Sequence, residues 1–125
     1  MKALGLRTVK YSAPDLEKAK KWYSDLFQTQ PYFDEPFYVG FNIGGYELGL
    51  DPDCSSENKG ADWSVTYWGV ENIDEAYKEC LARGAQEHQA PMNVGGELMI
   101  ASVVDPWGNI VGLIYNPYFE LPENE

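Results

Sequence analysis

The side chains able to bind or turn over a small molecule sit on a few short, alternating stretches of this 125-residue chain. Glu47 is foremost. It lies in Tyr46–Leu50, where side chains alternate between two faces, so Glu47 shares a face with Gly49. A carboxylate turned into an apolar cleft has a raised pKa and serves as acid or base. The plainer alternative puts Glu47 at a sheet edge, solvated or paired with a lysine. It takes precedence, because perturbed acids and structural ion pairs look alike in sequence. Tyr67 is the second candidate for proton transfer. With Lys10 it lines the same cleft, or else it simply keeps its polar end in water.

His88 is the one histidine, and between Glu87 and Gln89 it reads as an exposed loop residue with nothing adjacent to orient it as a base. Neither Cys54 nor Cys80 has a partner at close metal-ligand spacing, and two cysteines make no disulfide framework. Cys80 falls in a helical pattern and reads as a buried small hydrophobe, whereas Cys54 sits in a polar loop. Aromatic residues are 14% of the chain. Trp63, Tyr67, Trp68 and Trp107 have ring faces that suit a planar ligand, while Trp22 and Tyr23 read as core.

The elements that must position these residues are legible from periodicity. Leu6–Tyr11 alternates as a strand. Asp15 caps a helix whose stripe is Leu16, Ala19, Trp22, Tyr23, Leu26 and Phe27. Gln28 to Phe37 is turn-rich with short extended pieces. Tyr38–Ile43 and Tyr46–Leu50 form a hairpin about Gly44-Gly45. Asp51 to Asp62 is a polar linker, and Trp63–Val70 is a strand. Asn72 and Glu75 make a capping box for a helix striped by Ile73, Ala76, Tyr77, Cys80 and Leu81, which Arg83-Gly84 ends. Asn93 to Gly96 is a turn. Glu97–Val104 and Ile110–Tyr115 are strands joined by the tight turn Asp105–Asn109, and the tail after Pro117 is acidic.

The two halves superpose as a repeat of strand–helix–strand–strand–strand. Asp15–Ala19 falls on Asn72–Ala76, and Thr8 on Val65. A slightly larger shift puts Gly45 on Gly108, Leu48-Gly49-Leu50 on Val111-Gly112-Leu113, and Phe41 on Val104. A longer second-half loop near Glu87 to Met92 absorbs the difference. One such half is a small sheet with a helix on one face, and its other face needs a cover. The expected fold class is α+β: one domain over residues 1–125, with two tandem βαβββ modules, about 4–53 and 61–118, curving a mixed sheet around a cleft with the helices outside.

This pattern resembles the vicinal oxygen chelate superfamily, which includes glyoxalase I, methylmalonyl-CoA epimerase, extradiol dioxygenases and bleomycin-resistance proteins. The resemblance rests on Ser12–Ala19 with Trp22–Phe27, on Val70–Ile73, and on Asp105–Asn109, and runs from about Leu6 to Tyr118. It implies a histidine in the first strand of each half and a carboxylate in the last. Those four positions here carry Thr8, Val65, Gly49 and Gly112, while a slip in the last strands places Glu47 near the first carboxylate position. Valine and glycine side chains bind no cation and a lone threonine is a poor ligand, so neither metal nor other cofactor is expected.

The resemblance therefore implies a metal-independent small-molecule-binding protein, similar to bleomycin-resistance proteins, with a planar or aromatic ligand held by Thr8, Lys10, Gly49, Trp63, Val65 and Gly112. The alternative is a glyoxalase-like lyase or isomerase acting on a small oxygenated substrate; a metal-free version leans on Glu47 or Tyr67 for proton transfer, and a metal version needs ligands from other positions, such as Glu47, Glu97 or His88. A third reading is a purely structural dimer module. A homodimer is expected from the resemblance. The net charge of −11 repels phosphate backbones and anionic bilayers, so no nucleic-acid or membrane partner is expected. No apolar run spans a bilayer, and Met1–Gly5 holds no secretory stretch, so the cytoplasm is the default.

Overall fold

The computed structural model describes residues 1–2, 6–53 and 65–119. Trp63, Cys54 and most of the expected linker lie outside them. The elements are β1 (Thr8–Ser12), α1 (Leu16–Phe27), β2 (Phe33–Glu35), β3 (Tyr38–Ile43), β4 (Tyr46–Asp51), β5 (Thr66–Gly69), α2 (Ile73–Ala82), β6 (Gln86–Gly95), β7 (Leu98–Val104) and β8 (Ile110–Tyr115). This is the expected tandem βαβββ, α+β order. The chain packs as two compact units, Met1–Trp63 with Trp107–Asn109, and Ser64–Pro106 with Ile110–Glu125.

The first unit is a four-stranded sheet, β1-β4-β3-β2, with β1 parallel to β4 and the other neighbours antiparallel. Asp15 accepts from the Lys18 amide and starts α1, and Gln28 in the left-handed conformation ends it. Leu16, Ala19 and Tyr23 of α1 pack with Tyr11, Val39, Phe41, Leu48 and Leu50, all buried. Each large side chain fully removed from water contributes about 1.5–3 kcal/mol. Trp107 belongs here, edge-on to Trp22 at 6.0 Å. Asn109 holds the same corner: its side chain donates to the Ser12 carbonyl at 2.7 Å and accepts from the Ser12 amide at 2.9 Å.

The second unit repeats the plan as β5-β8-β7-β6, with β5 parallel to β8. Asn72 accepts from the Glu75 amide at 3.1 Å to start α2, and Gly84, at φ 102°, follows its end. Ile73, Tyr77 and Cys80 pack on Ala101, Val103, Val111 and Leu113. Burial pushes the Cys80 thiol up to about 11, in keeping with a hydrophobe rather than a nucleophile.

Two expectations need correction. The stretch Glu87 to Met92 is not a loop: it lies within β6, and the extra residues are absorbed as bulges, because an edge strand tolerates an unpaired residue. The hairpin alignment also slips by one. Phe41 opposes Leu48 as Val103 opposes Val111, so Phe41 matches Val103 rather than Val104.

Candidate functional site

The site is built on the first sheet's face away from α1. Cross-strand register places Thr8, Glu47 and Asn42 in one row, and Lys10, Gly49, Gly40 and Phe33 in the next. Because alternate residues share a face, Leu48 and Leu50 go to the core while Glu47, Gly49 and Asp51 stay on this side. Lys10 is held by Asp51 at 3.2 Å.

Gly40 and Gly49 are adjacent across β3 and β4 and leave a bare floor. Two tyrosine rings lie on it. A side chain at Gly49 would overlap the Tyr38 ring and hydroxyl, and one at Gly40 would come within 3.2 Å of the Tyr32 ring. Both hydroxyls converge on Glu47. Tyr32 donates to Oε2, and Tyr38 donates to Oε1 at 3.0 Å. Thr8 adds a third bond, donating to Oε1 at 2.9 Å. The Tyr38 ring also meets the Phe33 ring edge-on at 6.1 Å, and Phe33 meets Phe37 at 6.0 Å.

Hydrogen bonding to the ionised form lowers a carboxyl pKa, and here it outweighs burial. Donation first by Tyr32, then by Thr8 and Tyr38, holds Glu47 below the usual carboxylate range. The tyrosines move the other way. Tyr32 is raised by its bond to Glu47, and Tyr38 is pushed up to about 12 by burial and then by Glu47. The cluster is thus a fixed anion under neutral hydroxyls, with aromatic surface around it. The Glu47 pKa is thus lowered rather than raised, and among the described residues its partners are hydroxyl groups.

Thr8, Lys10, Glu47 and Gly49 are therefore brought together. Val65, Tyr67 and Gly112 fall in the second unit, and Trp63 lies outside the described residues. Tyr67 opposes Gly112, and a side chain at Gly112 would come within 2.7 Å of the Tyr67 ring and of the Thr66 carbonyl oxygen. Tyr32 and Tyr38 were missed in the sequence. Tyr38 was within reach, since it shares a face with Gly40, but Tyr32 comes from a turn with no periodicity.

The metal that the superfamily implies does not fit these residues. Tyrosine rings cover both glycines, and three hydroxyl hydrogens occupy the Glu47 oxygens. Among the described residues no group of three or more His, Cys, Asp or Glu could hold a metal ion. No helix among them is long and apolar enough to cross a membrane.

Solved structures share this fold. A glyoxalase-related enzyme from Fulvimarina pelagi matches with TM-score 0.76 at 17% identity, over 96% of this chain and 94% of that one. Lactoylglutathione lyase from Agrobacterium tumefaciens matches with TM-score 0.72 at 18%, over 95% and 100%. A bleomycin resistance determinant encoded on the transposon Tn5 matches with TM-score 0.67 at 22%, over 90% and 98%. No curated protein matches. The family model described as Glyoxalase/Bleomycin resistance protein/Dioxygenase superfamily matches residues 5–113, and the chain belongs to that superfamily.

Proposed function

We propose that this protein is a metal-independent, small-molecule-binding member of its superfamily that holds a planar or aromatic ligand without transforming it. The observation that carries the reading is the state of Glu47. A carboxylate held ionised by three hydroxyl donors is a poor proton shuttle near neutral pH, because the best acid or base has a pKa near the working pH. It holds the two tyrosine rings in place and keeps about one further acceptor site for a ligand donor. Beside it, the faces of Tyr32, Tyr38 and Phe33 suit ring stacking. Thr8, Lys10 and Gly49 form the surrounding floor, and a homodimer in the cytoplasm completes the reading.

The first test is metal content on protein purified without chelator, followed by titration with zinc, nickel, manganese and iron(II). The expected result is no stoichiometric metal and no thermal shift. Planar ligands screened against tryptophan fluorescence should then give binding that Glu47→Ala removes. Near-stoichiometric metal abolished by Glu47→Ala would overturn the proposal in favour of a lyase or isomerase on a small oxygenated substrate.

A further inference from the structure

The second unit carries a polar pair that the proposed function does not use. On its sheet face away from α2, Ile100, Val104, Ile110 and Ile114 are half-buried. Ser102 breaks that aliphatic surface and is itself 5% exposed. Strand β6 pairs Glu87 with Val103 and Gln89 with Ser102, so His88 is an extra residue in a bulge. Bulges re-aim side chains, and this one brings His88 Nδ1 to 2.7 Å from Ser102 Oγ. Ser102 opposes Gly112, which opposes Tyr67, whose ring lies over the position of the missing side chain. The polar side chains of this row are the His88 imidazole, the Ser102 and Tyr67 hydroxyls, and the Gln89 amide, whose nitrogen donates to the Ala90 carbonyl at 3.1 Å.

We propose that His88 and Ser102, beside Tyr67, bind the carboxylate of a small apolar acid, and that binding draws a proton onto His88. The count of hydrogens carries the argument. In either neutral tautomer one hydrogen lies between Nδ1 and Oγ, and a single donor, Nε2–H or the Ser102 hydroxyl, is left for a ligand. With an imidazolium, Nδ1–H donates to Oγ, and the Ser102 hydrogen is released toward a ligand. Nε2–H becomes a charged second donor, and charge-assisted bonds to a carboxylate are about twice as strong as neutral ones. The Tyr67 hydroxyl, two strands away on the same row, would serve as a third. The apolar part of the acid lies on Ile100, Ile114 and Met92, which pairs with Ile100 and is 42% exposed.

The charged neighbours do not oppose this. Glu87 pairs with Val103, so it lies on the opposite face, where burial and then Glu87 raise the Tyr77 hydroxyl of α2. Asp105 follows the end of β7, and Glu97 precedes its start. On the ligand's own face, β5 contributes Tyr67 as the titratable group. The net charge of −11 acts at longer range, where salt at physiological strength screens it beyond about 8 Å.

The chain has one histidine, so its imidazole Cε1–H resonance reports on His88 alone. Sodium benzoate is the probe, titrated against the full chain from pH 5 to 9 at fixed ionic strength, with benzamide as the neutral isostere. The expected result is benzoate affinity about tenfold weaker above the His88 titration than below it. By linkage, the His88 midpoint then rises about one pH unit in saturating benzoate. Ser102→Ala should weaken benzoate at least about threefold with an otherwise native amide spectrum, and Tyr67→Phe should weaken it less. An unmoved midpoint, pH-independent affinity, or benzamide binding as tightly as benzoate would overturn the proposal. Should Ser102→Ala not fold, the benzamide comparison and Tyr67→Phe still decide it.

Discussion

The two sheets share a frame and fill it with opposite chemistry. In each, a buried glycine sits mid-way along the last strand with a tyrosine ring over it: Gly49 under Tyr38, Gly112 under Tyr67. Two residues before the glycine the first sheet has Glu47 and the second Ile110; two residues after, Asp51 and Ile114. Opposite the glycine on the parallel neighbour stand Lys10 and Tyr67. On the antiparallel neighbour stand Gly40 and Ser102. Tyr38 has Ile100 in its place. One face is thus a hydrogen-bonded carboxylate network, and the other is aliphatic with a single imidazole–hydroxyl pair. Register is what the duplicated half preserves, while ligand chemistry is set by what stands on the positions it provides.

The glycines offer the sharpest way to break this comparison. At Gly112 an added Cβ meets the Thr66 backbone oxygen at 2.7 Å, and a parallel strand cannot rotate away. At Gly49 it meets the end of a side chain that can swing out. Gly112→Ala is expected to cost about 3 kcal/mol and Gly49→Ala about 2 kcal/mol, including the lost Tyr38–Glu47 bond. Urea unfolding with unchanged m-values measures both. A larger cost at Gly49 would mean that its ring is the fixed partner and the equivalence of the two positions is wrong.

Moving the carboxylate tests the filling rather than the frame. Ile110→Glu puts it on the position equivalent to Glu47, where Val65 replaces Thr8 and Ile100 replaces Tyr38. The expected cost is about 1.5 kcal/mol at pH 7 from a half-buried isoleucine and an undonated carboxylate. Its pKa should rise, so this cost should shrink as pH falls and the group protonates. A cost independent of pH would show that hydroxyl donors are not what separates the two faces.

Much of the frame was legible in the sequence because it rests on short-range rules. Asp15 and Asn72 cap, Gly44 and Gly45 turn at φ 61° and 96°, and Leu48 and Leu50 alternate into the core. The site was half legible. Alternation put Glu47, Gly49, Thr8 and Lys10 on one face, but it could not supply Tyr32, whose reach depends on how a turn folds over Gly40. Nor could it give the sign of the Glu47 shift, which depends on donors from three separate segments. The bulge at His88 was hidden for the same reason: an unpaired residue is defined by its partner strand, and nothing in Gln86–Met92 alone marks it.

The smallest expected effect isolates the network itself. Glu47→Gln keeps the shape and one acceptor but removes the charge. At pH 7 it should cost about 1 kcal/mol, discounted for solvent at a partly exposed group. Glu47 has a folded pKa below its ordinary 4.5, so the unfolded chain binds more protons across that interval. The carboxylate's stabilisation is therefore complete above about pH 4.5 and is lost as pH falls through the folded value. Glutamine does not titrate. Urea midpoints for the two proteins should then stand apart at pH 7 and 5, and converge toward pH 3. A gap of equal size at pH 3 would mean that the hydroxyls hold the side chain by shape alone, and the contrast between the two faces would be one of packing rather than charge.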